Sequence, residues 1–303
     1  MPELPEVETV KRGLHALILK REVSSVKHDW DKSFPNAKSD VDEFLIGSKI
    51  IDVRRRAKVL IIDLSTEYSL LIHLKMTGQL VFVEYSQKQI KDKRQEKKEK
   101  SRFGAGHPND SLVNSLPDKS TRVTFTFKDG SNLFFNDQRK FGWVKLFPTV
   151  EVENIDFIHK IGPEPLSDDF TSTKFIERVR KRAGTTIKAA ILDQTVLAGV
   201  GNIYADESLF AAKIHPATRV KDVSDAKLKL LLVEIKDVLQ LSIDKGGSSD
   251  RNYVNAEGKK GSYLGFAKVF RREGKPCSRC GTTIEKIRVA TRGTHICPKC
   301  QKF

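Results

Sequence analysis

Residues 2–20 read PELPEVETVKRGLHALILK, and from residue 5 to residue 20 the apolar positions recur with the period of a helix. Pro5 lies in the first turn of this predicted helix, where proline is well tolerated. Pro2 follows the initiator methionine, and we expect removal of Met1 to leave a secondary amine at the N-terminus. A free α-amino group titrates near pH ~8, so part of it is unprotonated at neutral pH and can attack an aldehyde-like carbon.

Two carboxylates lie close to this amine in the sequence. Glu3 and Glu6 could act as proton donor and charge stabiliser for such an attack. The alternative is an ordinary N-terminus, with the glutamates from Glu3 to Glu8 forming the acidic first turn of a helix.

After the helix the pattern changes to short β runs with turn residues between them, which favours a β-sandwich. Lys128-Asp129-Gly130-Ser131 is a predicted hairpin turn. A charge-rich run at 88–102 and a Gly-, Pro- and Ser-rich stretch after it predict a flexible basic insertion at about 85–120, which could also supply a non-specific DNA contact. The predicted strands are 49–53, 59–64, 69–74, 80–83, 122–127, 132–135 and 143–147.

The second half is helical and ends in a cysteine cluster. A Pro- and Gly-containing linker at 151–169 separates residues 1–150 from predicted helices at 170–182, 185–194, 202–212 and 223–245. All the cysteines lie at the C-terminal end as C-x2-C-x16-C-x2-C, namely Cys277, Cys280, Cys297 and Cys300. This spacing is typical of a four-thiolate zinc ribbon, with two disulfides as the alternative. The predicted fold is α+β and multidomain, with a helical domain at 170–262 and a ribbon at 263–303.

The charge balance points to a polyanionic partner. The chain has 54 Lys and Arg against 39 Asp and Glu, a formal charge of +15. Nucleic acid is the commonest partner of so basic a chain, whereas a smaller excess would need no partner to explain it. The first twenty residues are too charged for a signal peptide and no apolar run reaches membrane length, so we expect a cytoplasmic protein.

Two further clusters could carry chemistry. In Arg54-Arg55-Arg56-Ala57-Lys58, repulsion from the arginines would favour a neutral lysine, or the cluster is a basic surface that touches phosphate. Residues 192–207, LDQTVLAGVGNIYADE, predict a helix, a Gly-x-Gly turn and a second helix whose N-terminal amides can bind phosphate. Arg288, Arg292 and His295 in the ribbon are suited to reaching into a DNA groove.

Taken together, these features resemble the formamidopyrimidine-DNA glycosylase family of base-excision repair. The resemblance extends over nearly the whole chain. It rests on PELPEVE at 2–8, RRAK at 55–58, HLKMTG at 73–78, RKFGW at 139–143, IGPEPLSDDF at 161–170, LAGVGNIYADESLFAAKIHP at 197–216, GGSS at 246–249, YVNAEGKKG at 253–261, and the two cysteine segments.

The resemblance implies a bifunctional glycosylase and AP lyase that removes oxidised purines, namely 8-oxoguanine and formamidopyrimidines. Pro2 attacks C1′ and expels the base through a Schiff base, Glu3 is the general acid, and Glu6 supports the reacting sugar. Lys58 contacts phosphate and assists β-elimination, and Arg292 binds flanking phosphates and assists δ-elimination. The lesion must leave the stack to be reached.

The remaining implied roles concern DNA and metal. Met76, Arg139 and Phe141 fill the gap left by the flipped base, Asn202 binds phosphate, and a loop at about 248–267 closes over the lesion. The four cysteines hold one structural Zn²⁺. The partner is double-stranded DNA with oxidised bases or abasic sites, with no membrane, and the protein acts as a monomer.

The chain departs from the family pattern in three places besides the long insertion. Many members have Lys-His-x-His where this chain has Lys119-Ser120-Thr121-Arg122. The usual motif Asp-Pro-Arg-Arg-Phe-Gly is replaced here by Asp137-Gln138-Arg139-Lys140-Phe141-Gly142. A usual phosphate-binding lysine falls near Ala183, and Arg182 and Lys188 are the available substitutes. Two alternatives stay open: an endonuclease VIII-like enzyme for oxidised pyrimidines, and a non-catalytic DNA-binding protein of the same fold.

Overall fold

The computed structural model describes residues 2–85, 99–107, 110–248 and 263–303. By their contacts, the described residues divide into two compact units. The first contains Pro2 and residues 6–155, and the second contains residues 3–5, 156–248 and 263–303. The predicted boundaries at residues 150, 169 and 262 stay predictions.

The first unit is built mainly from antiparallel strands. Its helices are α1 (Leu4–Ile18), which begins in the second unit, and the short α2 (Lys38–Asp40), with further helical turns at Asp31–Ser33, Val41–Leu45, Asp110–Leu112 and Thr149–Asn154. Its strands are β1 (Val23–His28), β2 (Ile50–Arg56), β3 (Val59–Leu64), β4 (Tyr68–His73), β5 (Gly78–Tyr85), β6 (Glu99–Gly106), β7 (Thr121–Phe127), β8 (Asn132–Asp137) and β9 (Trp143–Pro148).

These strands form two sheets around one core, which confirms the predicted β-sandwich. The orders are β1-β7-β8-β5-β6 and β2-β3-β4-β9. Side chains alternate between the faces of a strand, so in β5 Leu80 and Phe82 enter the core shared by both sheets, whereas Val81 and Val83 face outward. The outward face is covered in turn by Leu112.

The prediction of a flexible insertion at 85–120 is wrong for residues 99–106. Residues 99–106 form β6, which pairs with β5 from Gln79↔Gly106 to Tyr85↔Glu99. Phe103 is 1% exposed and belongs to the shared core. The charged start of this segment hid the strand, because apolar residues appear only in its second half. The rest of the basic run, residues 86–98, lies outside the described residues.

The second unit is helical and ends in a hairpin. Its helices are α3 (Asp156–His159), α4 (Ser172–Arg180), α5 (Ile187–Leu192), α6 (Asn202–Ala211), α7 (Asp225–Asp244) and α8 (Tyr263–Phe266), with a helical turn at Val220–Asp222. The hairpin consists of β10 (Glu285–Val289) and β11 (Arg292–Ile296). The four predicted helices are confirmed within about two residues at each end.

The core of this unit explains why the helices form where they do. Thr171, Thr186 and Ser224 accept a hydrogen bond from an amide of the first turn of α4, α5 and α7, which satisfies a donor that the helix cannot. Apolar residues of α4, α5, α6 and α7 then form one buried cluster, in which Tyr204 and Leu209 of α6 are fully buried.

The buried position of Phe103 predicts a large loss of stability on truncation. Phe103→Ala removes a buried aromatic ring and should lower the free energy of unfolding by about 3–5 kcal/mol. Urea unfolding measures the change, and Val113→Ala, at a site 52% exposed, is the matched control. Equal midpoints for the two variants would show that residues 99–106 are not part of the core.

Candidate functional site

The Glu3 carboxylate is fixed at the start of α6. Glu3 is 3% exposed, and its Oε1 accepts a hydrogen bond from the Ile203 amide at 3.1 Å. This amide is among the first of the helix, whose donors have no partner within the helix and favour negative charge. The next residue is held too, because the Leu4 amide donates to the Gly199 carbonyl at 3.1 Å.

The two glycines of the turn before α6 leave room for this segment. A Cβ at Gly201 would lie 2.2 Å from Glu3 Cδ, and one at Gly199 would lie 2.6 Å from Leu4 Cβ. Gly199 also has a φ of +78°, which side-chain-bearing residues rarely adopt. The Gly-x-Gly turn therefore receives the N-terminal segment as well as joining two helices.

The other N-terminal residues differ in their surroundings. Pro2 is buried and Glu6 is 6% exposed. Glu8 instead forms ion pairs with Arg55 Nε and Arg12 Nε, both at 3.0 Å. Burial raises the pKa of Glu8, but hydrogen bonding and charge from Arg55 outweigh it, so the pKa lies below its usual value. Glu8 therefore serves the structure of the first unit.

Lys58 lies in the tight turn between β2 and β3. Ala57 has a φ of +51°, and the turn that it forms carries Lys58, whose side chain is largely buried at 8% exposure. The expected repulsion from its neighbours is reduced, because Arg54 pairs with Asp63 at 2.6 Å and Arg55 pairs with Glu8. The arginines themselves form the end of β2, and the turn that carries Lys58 leads directly into β3.

His73 is a site candidate that sequence reasoning missed. It pairs in register with Val59, the residue after Lys58. Burial, followed by the charges of Lys75 and Lys58, lowers the pKa of His73 to about 3. Its Nδ1 accepts from the Lys75 amide at 3.0 Å, so the neutral ring carries its proton on Nε2 as a donor. Its position in HLKMTG was the available signal.

The three predicted gap-filling residues lie on two loops of the first unit. Met76 is 38% exposed and Phe141 is 53% exposed, so both side chains are accessible to solvent. The Arg139 guanidinium lies 4.8 Å from the centre of the Phe141 ring, in cation–π contact.

Asp137 fastens these two loops together and was not singled out from the sequence. It is fully buried, and its carboxylate accepts hydrogen bonds from Thr77 Oγ1, from the Arg139 amide at 3.2 Å and from the Gly142 amide at 2.6 Å. Thr77 follows Met76 and its hydroxyl also accepts from the Arg139 amide at 3.1 Å. One carboxylate thus sets the backbone next to all three residues.

Within the 119–122 stretch, Ser120 and Arg122 do not replace a histidine phosphate contact. Arg122 is 4% exposed, donates from Nε to the Asp137 carbonyl at 3.0 Å, and pairs with Asp29. Ser120 is 2% exposed and bonded to Asp118 at 2.7 Å. Both side chains serve the interior of the first unit.

In the second unit, Arg182 and Lys188 differ in their access to solvent. Arg182 is exposed and pairs with Asp193 at 2.9 Å, beside a cleft of about 380 Å³ that Arg178, Lys181 and Lys160 also line. Lys188 is fully buried and its Nζ lies 2.6 Å from Asp206 Oδ1. Lys188 as a phosphate ligand is therefore a wrong prediction, because a side chain without exposure cannot contact the DNA backbone. Arg182 stays a prediction.

The hairpin exposes two arginines and buries the histidine. Arg292 and Arg288 are exposed, but His295 is 4% exposed, with its amide donating to Asp206 Oδ2 at 2.9 Å. His295 therefore cannot reach a DNA groove. Asn202, the first residue of α6, donates from Nδ2 to the Gly293 carbonyl at 3.0 Å, which brings it next to Arg292.

The four cysteines form a compact donor set. Their Sγ atoms all lie within 4.8 Å of one another, and none of these four is in a disulfide. Cys280 Sγ lies 3.5 Å from those of Cys297 and Cys300, and Cys277 Sγ lies 4.0 Å from that of Cys300. A tetrahedral zinc with bonds of about 2.3 Å separates its sulfur ligands by about 3.8 Å, so the set fits one zinc ion.

Comparison with known proteins identifies the family. The sequence-family model of the formamidopyrimidine-DNA glycosylase N-terminal domain matches residues 1–144. The family model of the formamidopyrimidine-DNA glycosylase H2TH domain matches residues 161–253. Formamidopyrimidine-DNA glycosylase of Pediococcus pentosaceus is 40% identical over 301 residues, covering 99% of each chain. The chain belongs to the formamidopyrimidine-DNA glycosylase family. The corresponding protein of Ligilactobacillus salivarius is 37% identical over 302 residues, again covering 99% of each chain.

Solved structures of this family have the same fold. A complex of a point mutant of Lactococcus lactis FPG with Fapy-dG containing DNA has a TM-score of 0.84 at 34% identity, covering 100% of both chains. A complex of Lactococcus lactis Fpg with DNA containing an abasic site has a TM-score of 0.83 at 33% identity, covering 99% of this chain and 100% of the other. The predicted family and fold are confirmed.

The zinc prediction is confirmed by a separate match. Residues 274–302 match a zinc finger found in FPG and IleRS, and this range contains all four cysteines. Thiolates in tetrahedral sites of this kind hold zinc for structure rather than catalysis. A zinc ion held by these four thiolates would join the two CxxC turns at either end of the hairpin segment and would stabilise the fold that carries Arg292.

Within the described ranges, no helix combines the length and the apolar character that crossing a membrane requires.

The cysteine geometry predicts one zinc per chain. Metal analysis of the purified protein should give one equivalent, and Cys297→Ser should lose it, because three thiolates bind zinc far more weakly than four. Ser278→Ala changes an exposed residue between two ligands and should keep the metal. Full occupancy of Cys297→Ser would contradict the assigned ligand set.

The fit of Glu3 against the turn predicts a selective effect at Gly201. Gly201→Ala places a methyl group on the Glu3 carboxylate and should reduce turnover of damaged DNA by about 10²-fold, the size of a lost general acid. Gly184→Ala, where a Cβ meets no atom within 4 Å, is the matched control. Unchanged turnover in Gly201→Ala at normal thermal stability would show that the Glu3 position does not matter.

Proposed function

We infer that this chain is a bifunctional DNA glycosylase and AP lyase of base-excision repair, acting on oxidised purines. Family membership supports it, as do the similar structures: Lactococcus lactis FPG complexes with Fapy-dG containing DNA and with DNA containing an abasic site. The family's base-removing activity and its action on double-stranded DNA come to this chain with that membership.

The observation that carries the proposal is the hydrogen bond between Glu3 and the first turn of α6. Pro2 and Glu3 are adjacent in the chain, so fixing the carboxylate at the Ile203 amide also restricts where the Pro2 amine lies. The same helix end offers amides to a DNA phosphate. The proposed nucleophile is therefore the direct chain neighbour of a carboxylate that is fixed at a helix end.

The mechanism begins with the secondary amine that is exposed when Met1 is removed. Its nitrogen attacks C1′ of the damaged nucleotide, the sugar ring opens, and Glu3 gives its proton to the ring oxygen. The Pro2 nitrogen then loses its proton, the C1′–base bond breaks, and the departing base takes up a proton, which leaves an iminium between Pro2 and C1′. The iminium acidifies C2′, so a proton is lost there and the 3′ phosphate departs, and a second elimination then releases the 5′ phosphate. Glu6, also buried, stabilises the positive charge on the sugar.

Cationic side chains and neutral hydrogen-bond donors bind the DNA phosphates. Lys58 contacts phosphate and assists β-elimination, and we add His73, whose neutral Nε2–H can donate to a phosphate oxygen beside it. Arg292, at the tip of the hairpin, binds the phosphates that flank the lesion and assists δ-elimination. Asn202 and the exposed Arg182 supply further phosphate contacts.

Met76, Arg139 and Phe141 fill the space that the flipped base leaves. Flipping costs a few kcal/mol in lost stacking and pairing. Exposed Met76 and Phe141 regain apolar contact in the gap, and Arg139 hydrogen-bonds the orphaned partner base. The loop at about 248–267, proposed to close over the lesion, lies mostly outside the described residues.

The protein acts as a monomer on double-stranded DNA in the cytoplasm, at the nucleoid. The formal charge of +15 supports this partner, since neutralised phosphates release counterions and make binding strongly salt-dependent. The working domains are a catalytic β-sandwich at 1–150, a linker at 151–169, a helical DNA-binding domain at 170–262 and a zinc ribbon at 263–303.

Oxidised pyrimidines are the second candidate substrate class. A Lactococcus lactis Fpg structure with DNA containing an oxidised pyrimidine is similar to this chain at a TM-score of 0.82 and 33% identity. The base class therefore needs a direct measurement.

Side-by-side kinetics on matched duplexes tests the function. The protein without Met1 should excise 8-oxoguanine faster than thymine glycol and form a borohydride-trapped adduct on both abasic and 8-oxoguanine duplexes. A form that retains Met1 should trap about 10²-fold less, because its Pro2 nitrogen is an amide. Faster excision of thymine glycol would assign the pyrimidine class, and binding without any trapping would indicate a non-catalytic protein.

The gap-filling assignment predicts a split between two substrates. Arg139→Ala should slow excision of 8-oxoguanine from duplex DNA about tenfold, the scale of one good base contact, and weaken discrimination by the opposite base. It should leave lyase activity on a pre-formed abasic site much less affected. Equal losses on both substrates, at unchanged thermal stability, would show that Arg139 serves general DNA binding.

A further inference from the structure

Lys188 and Asp206 form a buried ion pair that the proposed chemistry does not use. Both side chains are 0% exposed, and Lys188 Nζ lies 2.6 Å from Asp206 Oδ1. A buried ion pair is a poor source of stability, because removing both charges from water costs about as much as their attraction returns. Its best-attested role is to fix one arrangement of the groups that it contacts.

The pair binds three consecutive residues of β11. Lys188 Nζ donates to Thr294 Oγ1 at 2.7 Å and to the Gly293 carbonyl at 3.4 Å. Asp206 Oδ2 accepts from the His295 amide at 2.9 Å and faces His295 Nδ1 at 3.1 Å. Both charges of the pair are therefore directed at one short length of backbone.

This backbone leads directly to Arg292. The Thr294 hydroxyl, which accepts from Lys188, donates in turn to the Arg292 carbonyl at 3.1 Å. The Gly293 carbonyl that Lys188 reaches also accepts from Asn202 Nδ2 at 3.0 Å. Two residues proposed to bind DNA phosphate thus meet at the backbone that the ion pair holds.

The turn before Arg292 is strained and needs such support. Ala290 and Thr291 have φ values of +48° and +62°, between the paired residues Val289 and Arg292. A two-residue hairpin turn of this conformation favours Asn-Gly, and a β-branched threonine is poorly suited to a positive φ. Strained backbone of this kind persists where the surroundings fix it.

We propose that Lys188 and Asp206 are positioning residues that, through Thr294 and Gly293, lock the strained turn so that Arg292 meets the DNA phosphates. This inference rests on the proposed function only for the role of Arg292. Without the lock, the turn relaxes and the guanidinium leaves its productive position, while Pro2 and Glu3 keep theirs.

The test uses the full-length zinc protein and an isosteric pair of variants. Thr294→Val removes the hydroxyl that links Lys188 to Arg292, and Thr294→Ser keeps it. Each is combined with Arg292→Ala in a double-mutant cycle. The readout is affinity for a duplex carrying a stable tetrahydrofuran abasic-site analogue, with zinc content and thermal stability measured for every variant.

Coupling between the two positions supports the proposal. Thr294→Val should weaken binding about tenfold with Arg292 present, the scale of a misplaced contact group, and less than about twofold with Arg292→Ala. Thr294→Ser should bind within about twofold of the unchanged protein, since its hydroxyl keeps both bonds. An equal loss in both backgrounds, or no loss, would overturn the proposal, because a purely structural role acts whether or not Arg292 is present.

A second readout follows the chemistry and separates the two proposals. On an abasic-site duplex, Lys188→Met and Thr294→Val should raise the ratio of β-elimination product to β,δ-elimination product about tenfold. This ratio does not depend on the fraction of folded enzyme, so a loss of stability alone would leave the ratio unchanged. An unchanged ratio in both variants would therefore overturn the proposal. Coupled binding together with no cleavage by the unchanged protein would contradict the proposed function and leave the positioning role standing.

Discussion

The hydrogen bond from the Ile203 amide to the Glu3 carboxylate is the contact on which the proposed chemistry depends. It fixes the carboxylate of Glu3, the residue that follows the proposed nucleophile Pro2 in the sequence. It does so at a helix end that already favours negative charge. The contact is available only because Gly201 has no Cβ to occupy the position of the Glu3 side chain. The turn that joins two helices thereby also binds Glu3 and Leu4 near the N-terminus of the chain.

The same helix also organises the hairpin that carries Arg292. Asn202 and Asp206 are four residues apart on α6, so they lie on one face, and both bond to β11. The four clustered cysteines, which would hold zinc, lie at one end of the hairpin segment, and the Lys188–Asp206 pair contacts β11 near the turn. In the first unit, the Asp137 carboxylate plays the corresponding part for the loops of Met76 and Phe141. Buried carboxylates thus set the backbone beneath exposed groups.

Local pattern predicted the features that depend on nearby residues. Helical spacing predicted α1 and the four long helices of the second unit, and the CxxC spacing predicted the zinc ligands. Strands β1 and β6 were missed because their own apolar pattern is weak. They are stabilised by pairing with residues far away in the sequence, such as Val23↔Phe127 and Phe82↔Phe103. Lys188 was mistaken for a phosphate ligand for the same reason. Its partners Asp206 and Thr294 lie 18 and 106 residues away, and no local pattern shows that they bury it.

The location of the covalent adduct tests the central claim most directly. The protein is allowed to react with an 8-oxoguanine duplex in the presence of borohydride, digested with protease and nuclease, and analysed by peptide mass spectrometry. The account predicts that the reduced sugar is attached to the nitrogen of Pro2 in the N-terminal peptide, with Met1 absent. An adduct on Lys58 or another lysine, or excision of the base without any adduct, would contradict it.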